Sequence, residues 1–83
     1  MYFVYILKSL KDNKHYVGLT SDISKRLEYH NKGRVRSTKS RRPFELIHTE
    51  SFQYRMEARQ REKFLKSYGG AKEKLSIIER LQN

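Results

Sequence analysis

The 83 residues include 19 lysines and arginines but only 9 aspartates and glutamates, which gives a net charge of +10 at neutral pH. A chain of this length forms one small domain with a modest core, so we expect residues 1–83 to be a single domain. The absence of cysteine excludes disulfide bonds and thiolate zinc sites. No apolar run approaches the roughly 20 residues that cross a bilayer, and no signal-peptide pattern begins at Met1, so we expect a soluble, cytoplasmic protein.

The excess of positive charge indicates a polyanionic partner. Nucleic acid fits this charge best, because the sequence contains no basic amphipathic helix with the wide apolar face that binds a membrane surface. A basic protein that has no polyanionic partner is the alternative.

Two runs of β-branched and aromatic residues, 2–7 and 15–20, flank a polar turn that contains Asp12 and Asn13. This pattern predicts a β-hairpin. We assume a register in which Lys8 faces His15, and this register decides which side chains share a face.

In that register Leu7 faces Tyr16 and Tyr5 faces Gly18, so Tyr5 and Tyr16 stand side by side on one surface. Gly18 then leaves open backbone beside the Tyr5 ring, where a nucleic acid could approach. The alternative is an ordinary amphipathic hairpin whose tyrosines pack into a core.

A helix of about ten residues is predicted after the hairpin, with Ser21 and Asp22 as its N-cap and Gly33 as its end. Arg26 and His30 are four residues apart and therefore project from the same side of this helix. An arginine can bind phosphate through two hydrogen bonds, and a histidine can exchange protons near neutral pH. A solvated helix edge is the alternative explanation of this pair.

Residues 34–42 contain five cations, three hydroxyls and no acid, without a periodic pattern. We predict a mobile loop that contacts phosphates through its charges and hydroxyls, although a plain solvated loop has a similar composition. The cations are Arg34, Arg36, Lys39, Arg41 and Arg42, and the hydroxyls belong to Ser37, Thr38 and Ser40.

Pro43 opens a third predicted strand at residues 44–50, in which Phe44, Leu46 and His48 share a face. Nothing near His48 has the spacing of metal ligands, so we expect a surface or core histidine.

Two further helices are predicted, at residues 54–68 and 71–81, with Gly69 and Gly70 between them. The apolar stripe of the first consists of Ala58, Phe64, Leu65 and Tyr68, and that of the second consists of Leu75, Ile78 and Leu81.

Glu62 borders the first stripe and is expected to face the sheet. Carboxylates are rarely buried without a partner, so Glu62 requires either a cation such as Arg26 or a metal ion. Arg61 projects even nearer the centre of the stripe, and the sequence offers no reason for that position.

These segments resemble the GIY-YIG nuclease family over about residues 2–68. The hairpin is similar to the paired triplets of the family, here Phe3-Val4-Tyr5 and Tyr16-Val17-Gly18. Arg26 and His30 lie where the family has its helical arginine and, in many members, a histidine. Residues 57–62 are similar to the segment that ends in the metal-binding glutamate of the family. The resemblance is closest to small, single-domain bacterial members related to the N-terminal nuclease domain of the repair excinuclease.

The resemblance implies an α+β fold, a small three-stranded antiparallel sheet flanked by about three helices, which the pattern of elements also predicts. It further implies hydrolysis of DNA phosphodiester bonds with Mg²⁺ or Mn²⁺ bound by Glu62. Arg26 would bind the phosphate and Tyr16 would accept a proton from water. Tyr5 would position that water or share this role, and His30 would complete the hydrogen-bond network.

Three positions depart from the family pattern. Phe3 replaces the first glycine, and Leu19 replaces a lysine that excinuclease relatives carry beside the second triplet. Tyr68-Gly69-Gly70 follows the glutamate helix where many members have an asparagine. A phenol needs positive charge nearby to act as a base, because its unperturbed pKa is about 10, and the missing lysine makes that charge scarcer.

We therefore expect a metal-dependent endonuclease-like domain that acts on DNA, in repair or recombination, as a monomer or within a larger repair complex. The main alternative is a nucleic-acid-binding module of the same fold with little or no cleavage activity. A basic protein-interaction domain that works only inside a larger complex is the third hypothesis.

Overall fold

The computed structural model describes residues 1–82, and residue 83 of the predicted domain lies outside the described part. Three strands, β1 (Tyr2–Ser9), β2 (His15–Thr20) and β3 (Phe44–Phe52), form an antiparallel sheet in the order β2-β1-β3. The helices are α1 (Ile23–Asn31), α2 (Arg55–Lys66) and α3 (Ala71–Gln82), and a short 3₁₀ helix spans Lys39–Arg41. This α+β architecture is the fold class that the sequence predicts.

The helices of residues 1–82 include none with the length and apolar character needed to cross a bilayer.

The β-hairpin has the predicted register. Tyr5 pairs with Gly18, and Leu7 pairs with Tyr16. In the turn, Asn13 adopts a φ of 61°, in the left-handed region that asparagine tolerates better than most residues. The register therefore places the rings of Tyr5 and Tyr16 on the same face of the sheet.

Helices cover both faces of the sheet. On one face, Ile23 and Leu27 of α1 pack against buried Tyr5, Leu7 and Phe44. The opposite face forms the larger part of the core, where side chains of α2 and α3 pack against β1 and β2. Its buried members are Val4, Ile6, Val17, Ala58, Leu65 and Ile77. Each fully buried valine, leucine or isoleucine side chain contributes about 1.5–3 kcal/mol to folding.

The predicted face of the third strand is wrong at His48. Ile6 pairs with His48 but Leu7 pairs with Leu46, so Ile47 is an extra residue in β3. Such a bulge interrupts the two-residue alternation of side chains. Leu46 therefore stays on the α1 face, whereas His48 turns to the α3 side, where its Nε2 lies 2.9 Å from Glu50 Oε2.

The apolar stripe predicted for α2 is only half correct. Ala58 and Leu65 are buried, but Phe64 is 43 % exposed and Tyr68 is fully exposed. The helix ends before Tyr68, because the Ser67 hydroxyl donates a hydrogen bond to the Phe64 carbonyl at 2.6 Å and the chain turns there. Tyr68 therefore projects into solvent.

The apolar face predicted for α3 is also shifted. Ile77 and Ile78 are buried, whereas Leu75 and Leu81 are about half exposed. The helix packs through the neighbouring isoleucines of its middle turns, and a spacing of three residues identified only Ile78 correctly.

Candidate active site

Helix α1 presents Arg26 and His30 to the sheet. It begins where the Asp22 carboxylate accepts a hydrogen bond from the Lys25 amide at 3.0 Å, and it ends before Gly33, whose φ of 75° suits glycine. Arg26 and His30 lie on the same side of the helix, as predicted, and both side chains contact Tyr5.

His30 lies within a cluster of aromatic rings and is completely buried. Its ring centroid is 5.9 Å from that of Tyr5, 5.0 Å from that of Tyr16 and 5.7 Å from that of Phe44. The rings of Tyr5 and Tyr16 are 6.3 Å apart. The structure thus brings together four aromatic side chains from three strands and one helix.

The expectation of open backbone at Gly18 is wrong. Gly18 is buried, and a Cβ atom at this position would lie 2.3 Å from the Tyr5 hydroxyl oxygen. The missing side chain therefore makes room for the Tyr5 phenol instead of a ligand.

The hydrogen bonds assign the protons around His30. The Thr38 hydroxyl donates to the Val35 carbonyl at 3.3 Å, so it accepts from Nδ1–H of His30 at 2.8 Å. Nε2 of His30 then carries no proton and accepts a hydrogen bond from the Tyr5 hydroxyl at 3.0 Å. The Tyr5 oxygen in turn accepts a long hydrogen bond from Nε of Arg26 at 3.4 Å.

The electrostatics agree with a neutral His30. Burial, and secondarily the charge of Arg26, lowers the pKa of His30 from 6.5 to about 4. Burial also raises the pKa of Tyr5, against the hydrogen bond from Arg26. Tyr5 is therefore fixed as a neutral phenol between His30 and Arg26.

Lowering the pH should destabilise the protein through His30. Its pKa is about 4 in the folded state and 6.5 in the reference state, so protons bind the unfolded chain preferentially between these values. The free energy of unfolding measured above pH 6.5 should therefore fall by about 3 kcal/mol when the pH is lowered to 4. Urea unfolding of wild type and His30→Gln across this range measures the difference. Parallel curves for the two proteins would contradict the assignment.

Tyr16 is held less tightly than Tyr5. Its side chain is only partly buried, and its hydroxyl lies near the guanidinium of Arg26. Tyr16 is thus the more exposed of the two phenols in the cluster.

The loop of residues 34–42 is more ordered in its contacts than predicted. It contains the 3₁₀ helix, and Thr38 is completely buried against His30, so the predicted phosphate contact by Thr38 is wrong. The tertiary contact with His30 takes this hydroxyl out of solvent. Ser37 and Ser40 remain exposed.

The cations of this loop differ in how far contacts within the protein already engage them. Arg41 is partly buried and pairs with Asp12 at 3.1 Å, and its guanidinium also lies over the Phe44 ring. Arg34 stacks on the Tyr29 ring, 5.8 Å from the centroid. The remaining exposed members are Arg36, Lys39 and Arg42.

Glu62 is nearly buried, with 8 % of its surface exposed, but the expected partner Arg26 is not its partner. Arg59 Nη1 lies 2.6 Å from one carboxylate oxygen and Lys66 Nζ lies 3.0 Å from the other. Burial raises the pKa of Glu62, but these two ion pairs outweigh it, so the pKa lies below the ordinary value. Both cations come from α2 itself, at i−3 and i+4, because that spacing places them beside Glu62.

Lys66 connects Glu62 to the aromatic cluster. Its Nζ is 5.5 Å from the centroid of the Tyr16 ring and 3.0 Å from Glu62 Oε2. Since Tyr16 lies on the α1 face and α2 packs on the other face, Lys66 reaches past the edge strand β2. Arg59 and Lys66 were not predicted as site residues, although their spacing from Glu62 could have identified them.

Arg61, which the sequence left unexplained, has a structural role. Its guanidinium donates to Glu50 of β3 at 2.7 Å and to Glu73 of α3 at 3.0 Å. It therefore links three elements and fixes the orientation of α2, which carries Glu62.

The carboxylate near the aromatic cluster suits a metal ion that keeps most of its water ligands. Within residues 1–82, no three histidine or carboxylate side chains gather in one place, and Glu62 is the carboxylate beside the aromatic cluster. Mg²⁺ keeps several waters and commonly takes one or two carboxylates together with substrate phosphates. The single carboxylate fits that mode of binding, provided that Arg59 and Lys66 move aside.

Comparisons with known proteins support a relationship to nucleases. The family model of the GIY-YIG catalytic domain matches residues 1–75. The chain is 44 % identical over 80 residues to UPF0213 protein YazA of Bacillus subtilis, covering 95 % of this chain and 80 % of that protein. It is 40 % identical to UPF0213 protein lwe0147 of Listeria welshimeri, covering 95 % and 88 %. The solution NMR structure of UPF0213 protein BH0048 from Bacillus halodurans is similar, with a TM-score of 0.54, 33 % identity and coverage of 93 % and 85 %.

Proposed function

This chain belongs to the GIY-YIG nuclease family, and from that premise we propose that it is an endonuclease that hydrolyses DNA phosphodiester bonds with Mg²⁺ or Mn²⁺. The observation that carries the proposal is the convergence of Tyr5, Tyr16 and Arg26 around buried His30, with Lys66 joining Glu62 to the same cluster. Hydrolysis of a phosphodiester requires a base, neutralising charge and fixed orientation, and this cluster contains groups for each.

In this proposal Arg26 binds the scissile phosphate. Its side chain is partly exposed, while the long hydrogen bond to Tyr5 orients it. It also lines a surface groove of about 190 Å³ together with Thr20, Ser21, Asp22, Lys25 and Tyr29. Lys25 adds a second positive charge there, so the groove is suited to the DNA backbone.

Tyr16 accepts the proton of the attacking water in this proposal. The positive charges of Arg26 and Lys66 lie beside its ring and would stabilise negative charge that develops on its oxygen during proton transfer. Tyr5, whose hydroxyl donates a hydrogen bond to His30, keeps Arg26 and the water in position. Glu62 would hold the metal ion, which supplies positive charge for the phosphoryl and leaving oxygens.

Two observations favour the second candidate function, a DNA-binding module with little cleavage activity. Both oxygens of Glu62 are occupied by cations of the protein, and Leu19 stands where excinuclease relatives have a lysine. The deciding experiment is nicking of supercoiled plasmid with and without Mg²⁺.

The exposed loop cations predict a salt-dependent affinity for duplex DNA without added metal. Each phosphate contact that is lost should flatten the slope of log affinity against log salt by about 0.9. Arg36→Gln combined with Lys39→Gln should therefore lower the slope by about 1.8. Fluorescence anisotropy between low and physiological salt measures it.

The matched control is Lys72→Gln combined with Arg80→Gln on α3, which removes the same charges from the opposite side of the sheet. Equal flattening by both double variants would assign the affinity to net charge alone. A wild-type affinity that does not change with salt would contradict binding to nucleic acid altogether.

A further inference from the structure

The two cations that flank Glu62 are more exposed than the carboxylate they neutralise. The side chains of Arg59 and Lys66 are 53 % and 44 % exposed, whereas that of Glu62 is 10 % exposed. Glu62 is therefore held in place by the fold, and its partners are long side chains that can move through solvent.

These ion pairs compete directly with a metal ion. Each carboxylate oxygen of Glu62 already accepts a charge-assisted hydrogen bond, and Mg²⁺ would need at least one of these oxygens. A divalent cation would also approach two positive charges. Metal binding to the free protein is thus opposed both by the loss of the hydrogen bonds and by repulsion.

DNA phosphates offer the two cations another partner. Arginine and lysine form strong charge-assisted hydrogen bonds with phosphate. Lys66 Nζ is 5.5 Å from the Tyr16 ring centroid, so it lies at the edge of the cluster where the proposed function places the DNA backbone. A phosphate there would draw positive charge away from Glu62 and add an oxygen ligand for the metal.

We propose that Arg59 and Lys66 are phosphate-binding residues that occupy Glu62 in the free protein and move to the DNA backbone when substrate binds. DNA then strengthens the binding of Mg²⁺ by Glu62, and the two ligands bind cooperatively. This inference rests on the proposed function, since it takes Glu62 as the metal ligand. Its consequence is that the metal is bound firmly only where there is DNA to cut.

The test is an NMR titration with Mg²⁺ that follows the backbone amide and the side-chain carboxyl of Glu62, with and without a short DNA duplex. In wild type, the duplex should lower the dissociation constant for Mg²⁺ at Glu62 by about 5-fold or more. Glu62→Gln reports the metal that binds the DNA itself. If Glu62 and its pairs were only a structural feature of the helix, the duplex would leave the constant unchanged.

Arg59→Ala combined with Lys66→Ala should bind Mg²⁺ more tightly than wild type in the absence of DNA, and the duplex should add little. Alanine keeps the helix, because it has the highest helix propensity, and circular dichroism checks this. Lys66→Gln alone should show a smaller change in the same direction, in case the double variant unfolds. Arg55→Ala combined with Lys63→Ala removes the same charges from exposed positions of the same helix and should behave as wild type.

The outcomes separate this inference from the proposed function. If Mg²⁺ binds Glu62 equally well with and without DNA, the cooperative role of Arg59 and Lys66 is overturned and the nuclease proposal stands. If Mg²⁺ instead perturbs Glu57 or Glu79, or if the duplex does not bind, both are overturned.

Discussion

Glu62→Gln and Arg26→Ala are each expected to lower the rate of plasmid nicking by a factor of about 10²–10³. Each change removes charge that acts mainly in the transition state, so kcat should fall more than the affinity for DNA. Glu62→Gln keeps the size of the side chain in its nearly buried position. Arg26 is partly exposed, so its loss should leave folding largely intact.

The matched control for Glu62→Gln is Glu57→Gln, which neutralises an exposed carboxylate in the first turn of α2. It should nick at the wild-type rate. Arg26→Lys keeps the charge but loses the planar fork that binds phosphate through two hydrogen bonds, so an intermediate rate is expected. Equal activity of Glu57→Gln and Glu62→Gln would mean that the wrong carboxylate has been assigned to the metal.

The parts of the site that depend on local spacing could be predicted from the sequence. The hairpin followed from two runs of β-branched and aromatic residues around a polar turn, whereas its register was assumed and is confirmed by the pairing of Tyr5 with Gly18. The shared side of Arg26 and His30 followed from a separation of four residues on a helix. Both statements concern neighbours in the chain, where backbone geometry alone decides.

The parts that depend on tertiary contacts could not be predicted. Thr38 lies in a basic, polar loop, but its burial is decided by His30, which lies eight residues away. The bulge at Ile47 changes the face of His48, and nothing in the alternation of residues 44–50 marks an inserted residue. The alternation of side chains in a strand can be predicted from its sequence, but the position of a bulge depends on the pairing with the neighbouring strand.

The partners of Glu62 could be predicted only in part. Its need for a cation could be predicted, because buried carboxylates require one. The identity of that cation could not, since several long basic side chains compete and only the packing of α2 against the sheet decides among them. Arg26, the expected partner, is engaged by the Tyr5 hydroxyl instead.

Tyr16→Phe is expected to lower the nicking rate by a factor of about 10²–10⁴, the usual contribution of a general base. The variant keeps the ring and its contacts with His30 and deletes only the hydroxyl. The Tyr16 side chain is only partly buried, so the free energy of unfolding should be nearly unchanged. DNA affinity should also be unchanged, because the exposed cations supply most of it.

Tyr5→Phe provides the contrast, because the two phenols are held so differently. Removing the Tyr5 hydroxyl leaves Nε2 of His30 buried without a donor, which should lower the free energy of unfolding by about 1–3 kcal/mol. Tyr54→Phe, at an exposed tyrosine before α2, should change neither rate nor stability. If Tyr5→Phe abolished nicking at full occupancy of the folded state while Tyr16→Phe did not, the base would be Tyr5. If wild type bound DNA but nicked no faster than Glu62→Gln, the protein would be a DNA-binding module. Glu62 would then stay paired with Arg59 and Lys66 when DNA is bound.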